Sequence, residues 1–137
     1  MADPKTSARP LTSRPLSPHL QIYRPMLSMM MSIMHRLTGV ALAGGVALFV
    51  FWLAAAASSE TLFDCMQGFF FHWFGRLVLF GFTWALIHHA LGGLRHFIWD
   101  TGRGYALPNV EWLARANLAG SIILTILLWV IAYGRMP

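Results

Sequence analysis

Three long apolar windows, the first opened by an arginine and the other two bracketed by them, leave this chain few ways to fold. Leu37 to Ala57 carries no charge, Leu77 to Leu94 lies between Arg76 and Arg95, and Ala116 to Gly134 lies between Arg115 and Arg135. Each is close to the roughly 20 residues that a helix rising about 1.5 Å per residue needs to cross the hydrocarbon of a bilayer. Within that hydrocarbon every backbone N–H and C=O must be satisfied inside the segment, which selects helix. Composition agrees: 57% of the 137 residues are apolar and 11% charged, with six Trp and ten Phe, more than a soluble domain of this size could hide. The expected fold is an all-α membrane protein of three transmembrane helices, over about 32–57, 70–98 and 112–134, behind an extended N-terminal cytoplasmic segment, 1–31.

The basic residues orient these spans. Lys5, Arg9, Arg14, Arg24 and Arg36 precede or open the first span, and Arg95, Arg103 and Arg115 surround the second connection, while Arg76 and Arg135 fall on the opposite side. Cytoplasmic loops carry the excess of Lys and Arg, so the N-terminus is expected in the cytoplasm. The net charge of +5 is therefore a topological signal, and nucleic-acid binding is not expected. The outer connection, read as a loop from Ser58 to Gly68, leads into Phe69, Phe70, Phe71, Trp73 and Phe74, an aromatic cluster suited to the membrane interface. Residues 1–31 lack the apolar core and small-residue cleavage site of a secretory signal, and Pro10, Pro15, Pro18 and Pro25 favour an extended path. Lone Cys65 cannot form an intrachain disulfide.

Chemistry is expected where ionisable groups enter the apolar windows, because such groups are costly at membrane depth. His88 and His89 sit in the middle of the second span. Four-residue steps run through Gly81, Ala85, His89 and Gly93, a small-residue stripe with one imidazole in it. A bare stripe means close helix packing. With the imidazole added it offers a flat macrocycle both room and an axial ligand for haem iron. His88 is rotated by about 100° around the helix, and periodicity alone does not choose between the two. His96 follows His89 by seven residues, on nearly the same face about 10 Å nearer the cytoplasm. Arg95 beside it is accounted for by snorkelling to the interface.

The inner end of the first span carries Ser32, His35 and Arg36. A hydroxyl, an imidazole and a guanidinium at the lipid boundary suit haem propionates, through charge-assisted bonds, and the carbonyls of a lipid-soluble quinone. Depth adds a constraint: first-span residues level with His89 are expected near Ala43 to Gly45, where nothing can ligate, and the third span has no His, Met or Cys. A six-coordinate haem would then take its second ligand from another polypeptide.

Three stretches in this order, Arg14–Pro–Leu–Ser–Pro–His19–Leu–Gln–Ile–Tyr23, Ser32–Ile–Met–His35–Arg36–Leu–Thr38–Gly39 and His89–Ala–Leu–Gly–Gly93–Leu–Arg95–His96–Phe–Ile–Trp99–Asp100, resemble the cytochrome b membrane-anchor subunit of succinate dehydrogenase, respiratory complex II. The resemblance implies one b-type haem shared with a second small membrane-anchor subunit, together with a flavoprotein subunit and an iron–sulfur subunit held at the membrane. It implies His89 as the axial ligand of the haem iron, His35, Arg36 and His96 at the haem, and Ser32 and Arg36 at the ubiquinone site. Asp100 matches a position near the quinone pocket, and Tyr23 either touches the quinone or packs on a partner subunit. Many members carry an aromatic or apolar residue where this chain has His88, so His88 stays an alternative to His89.

A chain of this kind is not catalytic alone and completes succinate:quinone oxidoreductase, in a bacterial inner membrane or, alternatively, a mitochondrial one. The rival from another class is a structural anchor that binds no haem, with its histidines satisfying polar needs between helices. A third reading, a metal-relay transporter using His72, His88, His89 and His96, is disfavoured because no acidic residue lies between Arg76 and Arg95.

Overall fold

The computed structural model describes residues 22–135, and among these it contains four helices and no strand. The first, α1, runs Leu27–Ser58; α2 runs Glu60–Phe71, α3 Trp73–Asp100 and α4 Leu107–Gly134. Helices α1, α3 and α4 are each long and apolar enough to cross a membrane. At 32 residues α1 is about 48 Å long, well beyond the roughly 30 Å of hydrocarbon, so its ends reach the polar boundary on both sides.

Each boundary has a local cause. Pro25 disfavours helix at the residue before it, and α1 begins two residues later, at Leu27. Met29 to Met31 are therefore helical rather than part of the extended segment, while residues 1–21, including the stretch from Arg14 to Gln21, lie outside the described residues. The connection after α1 is not a loop. Ser59 turns extended and caps α2 by accepting from the Leu62 backbone N–H at 3.3 Å, and Glu60 lies in the first turn, where a carboxylate complements the helix dipole. The aromatic cluster then straddles a break at His72, whose extended backbone ends α2 and whose Nδ1 accepts from the Phe74 N–H to start α3. On the other side, Gly102 and Gly104 take φ of 75° and 82°, a region that favours glycine, and turn the chain into α4, where Pro108 occupies the first turn.

Helix α3 packs between α1 and α4, α1 and α4 also touch, and α2 folds back on α1 and α3. The interior inverts the soluble pattern. Buried side chains are mostly small or polar (Thr38, Ala85, His88, Ala114, Asn117, Ser121, Thr125), while Leu, Ile, Val and Phe point outward. Lipid tails are as apolar as leucine, so helices gain by bringing small residues into close contact and by hydrogen bonding across the seam, and large apolar side chains face the lipid at no cost. The tightest approach joins α1 to α3: a Cβ at Gly45 would collide with the Phe82 ring. Beside this contact, on the half nearer α2, α1, α2 and α3 enclose an apolar groove of about 580 Å³ with no ionisable side chain in its lining.

Candidate functional site

The two adjacent histidines part company in the fold. His88 faces α4, is fully buried, and lies 3.2 Å from the Ser121 hydroxyl through Nδ1. His89 faces α1: its Nδ1 is 3.1 Å from the backbone carbonyl of His35 and 3.4 Å from Thr38 Oγ1, and its Cε1 would be 3.1 Å from a Cβ added at Gly39. A carbonyl only accepts, so His89 Nδ1 carries the hydrogen and the lone pair of the neutral ring sits on Nε2. No side chain or backbone group of the described residues bonds that nitrogen, and it is not among the sealed polar atoms, whereas His88 Nε2 is.

The level of His89 on α1 is thus Thr38 and Gly39, not Ala43 to Gly45. Because α1 starts at Leu27, its first turns extend further than the uncharged window suggests, and Gly45 meets Phe82, seven residues before His89. This register brings in His35, whose ring stacks on His89 at 3.9 Å with the planes 7° apart. Rings stacked face to face at that distance leave no space for a macrocycle between them, so His35 and His89 cannot ligate opposite sides of one iron. Neither ring nitrogen of His35 has a hydrogen-bond partner among the described residues, and its Nδ1 is sealed against the bare backbone of Gly92.

His96 continues the row toward the C-terminal end of α3, 5.5 Å from His35 and edge-on to Trp99 at 5.2 Å. Three imidazoles, His89, His35 and His96, therefore form one cluster across the α1–α3 seam. Ser32 and Arg36 lie exposed on neighbouring turns of α1, outside this cluster, with no side-chain hydrogen bond to any described residue. Asp100 is exposed at the end of α3, and Tyr23 donates to Met29 Sδ at 2.7 Å. His72 lies at the break between α2 and α3, far along the chain from this cluster, and among the described residues no group of three or more His, Cys, Asp or Glu is arranged to hold a metal ion.

The expected small-residue stripe divides. Ala85 is packed in the interior, while Gly81 and Gly93 have nothing within 4 Å of where a Cβ would stand and so present bare backbone on the open side of α3. Arg95 does not snorkel. It is 4% exposed, its guanidinium lies over the Trp99 ring at 4.9 Å, and its Nε and Nη1 are buried without partners. Asn117, Ser121 and Thr125 are the buried polar residues of α4, and Ser121 meets His88 across the seam with α3. None of these three is a metal ligand of the usual kind, so a search of the third span for His, Met or Cys misses them. Their four-residue spacing in an otherwise apolar helix is the signal that marks a buried face.

Comparison with known proteins fits this arrangement. Residues 10–128 match the family described as succinate dehydrogenase/fumarate reductase transmembrane subunit. The chain is 41% identical over 121 residues to the succinate dehydrogenase cytochrome b556 subunit of Paracoccus denitrificans, covering 88% of this chain and 93% of that one. It is 34% identical to the subunit of the same name from Rickettsia conorii, over 92% of this chain and 98% of that one. The mitochondrial cytochrome b560 subunit of Mus musculus is 40% identical over 108 residues, 75% of this chain and 62% of the longer mouse protein. A membrane chain whose described residues are all helical, with three histidines gathered on the α1–α3 seam, and which is matched along most of its length, belongs to the succinate dehydrogenase/fumarate reductase transmembrane subunit family.

Proposed function

We propose that this chain anchors a succinate:quinone oxidoreductase in the membrane, shares a b-type haem with a second small membrane-anchor subunit, and contributes Ser32 and Arg36 to the site where ubiquinone is reduced. The observation that carries the haem reading is the His89 Nδ1 contact to the His35 carbonyl. A ligating histidine characteristically donates its other ring N–H to a carbonyl or carboxylate, which fixes the tautomer and aims the lone pair. His89 has that partner and a free Nε2; His88 has Ser121 on one side and a sealed Nε2 on the other. His89 is the ligand in this reading, and His88 serves the helix seam.

The site fits the group in two further respects. A haem iron already bound by four ring nitrogens needs one imidazole per face, so the lack of a larger ligand cluster among the described residues is compatible with it. Gly93, one turn from His89, leaves bare backbone beside the imidazole, where a flat ring can approach. His35, Arg36 and His96 would hold the propionates, His35 and His96 from within the imidazole cluster and Arg36 from the adjoining surface of α1. The haem, when bound, supplies a one-electron carrier at membrane depth.

At the quinone, Ser32 donates a hydrogen bond that holds the head group, and Arg36 stabilises negative charge gathering on the quinone oxygen. Two electrons, originating in succinate oxidation on the flavoprotein subunit and delivered by the iron–sulfur subunit, and two protons from the cytoplasmic side convert quinone to quinol. Both side chains stand exposed, so the site is completed by other subunits of the complex. The distribution of arginine supports a topology with the N-terminus and the α3–α4 turn in the cytoplasm of a bacterium, or in the matrix of a mitochondrion.

Reduced-minus-oxidised absorption spectra of the purified complex test the reading. The wild type and a His88→Ala variant should show the sharp alpha band of haem b, and His89→Ala should lose it. A colourless wild-type complex would instead make the chain a haem-free structural anchor.

A further inference from the structure

Helices α2 and α4 both approach α3 but, among the described residues, do not pack on each other. Between them lies a slot of about 300 Å³ with α3 as its floor. Phe70 of α2 forms one wall and Trp129 of α4 the other, and Leu79 and Thr83 line the floor. Thr83 Oγ1 gives its hydrogen to the Leu79 carbonyl at 2.7 Å, so the floor keeps no free donor. Trp129 stacks on Tyr133 at 5.5 Å, which stiffens that wall. Where α3 begins, Arg76 stands exposed at the mouth of the slot, its guanidinium 5.9 Å from the centre of the Tyr133 ring. Among the described residues the one ion pair is Arg115 with Glu111, so no carboxylate neutralises Arg76.

From this we propose that the slot between α2 and α4 holds one anionic phospholipid, its phosphate on Arg76 and one acyl chain between Phe70 and Trp129. The site uses no residue of the haem and quinone assignments.

Depth, shape and charge select this ligand. Arg76 is the fourth residue of α3 and Tyr133 the last but one of α4, so the mouth lies at the membrane boundary, where tyrosine and arginine meet lipid headgroups. From Arg76 to Thr83 is about 10 Å along α3, which carries the slot from that boundary into the hydrocarbon. An apolar slot left empty there would forfeit the contacts of its lining, and an acyl chain restores them. A transmembrane helix, about 10–12 Å across, is too broad for a slot of this volume. At the mouth, a guanidinium offers phosphate two parallel hydrogen bonds, and the Tyr133 ring beneath keeps it over the slot. Inorganic phosphate would answer Arg76 and leave the slot empty; a neutral lipid would fill the slot and leave the charge unmatched. An anionic phospholipid does both.

Lipid competition tests the proposal. The purified complex is placed in nanodiscs of phosphatidylcholine with a minor share of phosphatidylglycerol, extracted in neutral detergent and washed, and the retained lipid is measured by mass spectrometry. The wild type should retain phosphatidylglycerol in preference to phosphatidylcholine, and Arg76→Gln should cut that preference by about fivefold, the effect of one arginine beside an anionic headgroup. Thr83→Phe fills the slot but keeps the arginine, and should retain less phosphatidylglycerol than the wild type. Arg115→Gln removes an arginine elsewhere and should match the wild type. Retention by the wild type in the nanodisc ratio, an unaltered preference in Arg76→Gln, an equal loss in Arg115→Gln or undiminished retention in Thr83→Phe would each overturn the proposal. Should Thr83→Phe fail to assemble, the contrast between the two arginine variants still decides.

Discussion

Gly92 is where the imidazole cluster is most exposed to a small perturbation. It lies on α3 between His89 and His96, and a Cβ built on it would stand 2.5 Å from His35 Nδ1 and 3.0 Å from His35 Cε1, where ordinary contact begins at 3.4 Å. Gly92→Ala therefore requires the His35 ring to retreat by about 0.9 Å at its nearest atom, or α1 and α3 to separate by a similar amount. The ring cannot retreat freely, because it stacks on His89 at 3.9 Å, and the backbone carbonyl of the same residue holds His89 Nδ1 at 3.1 Å. Overpacking of this size costs about 1–3 kcal/mol. If a third to a half of it is borne by the carbonyl contact that aims His89, haem affinity falls by about two- to tenfold, reaching at most the low end of the range for loss of a group that orients a metal ligand. Haem content per complex, measured by the pyridine haemochrome after graded detergent washing, should fall, and the melting temperature of the complex should drop with it. Gly68→Ala, in open space on α2, is the control and should change neither. Full haem retention with unaltered melting in Gly92→Ala would refute the claim that His35 is pinned between Gly92 and His89.

Other outcomes rest on the same geometry. Arg36→Leu should depress quinone reduction while succinate-dependent dye reduction by the soluble subunits stays near normal; unchanged quinone kinetics would remove Arg36 from the site. Ser121→Ala deprives buried His88 of its acceptor and should cost the complex about 1–3 kcal/mol of stability without removing haem, measured by thermal melting against the absorption band. Arg115→Ala breaks an ion pair whose partners are 69% and 54% exposed, so stability should move by less than about 1 kcal/mol. Cys65, exposed on α2, should react with a membrane-impermeant maleimide added from the outer side of the membrane and be shielded from the cytoplasmic side; the reverse would invert the orientation.

What lipid dictates was legible in the amino-acid order. Three uncharged windows, their arginine flanks and the need to satisfy the backbone without water require three spanning helices, and helical periodicity fixes the angle of about 100° between His88 and His89. It does not fix where either residue points, because a period sets the separation between two side chains on one helix and says nothing of which neighbour lies at each angle. Packing decided that: α4 took the His88 side, offering Ser121, and α1 took the His89 side, offering the His35 carbonyl. Register between antiparallel helices was likewise beyond the windows, since it depends on where each helix enters, and α1 enters ten residues before its uncharged stretch begins at Leu37, which moved the level of His89 from Gly44 to Gly39. The twelve residues of α2 escaped because a short helix at the interface carries both charge and aromatic rings and so reads as a loop. Arg95 shows the same limit: the sequence places a guanidinium near the end of a span, where snorkelling would suffice, and only tertiary packing buries it over the Trp99 ring.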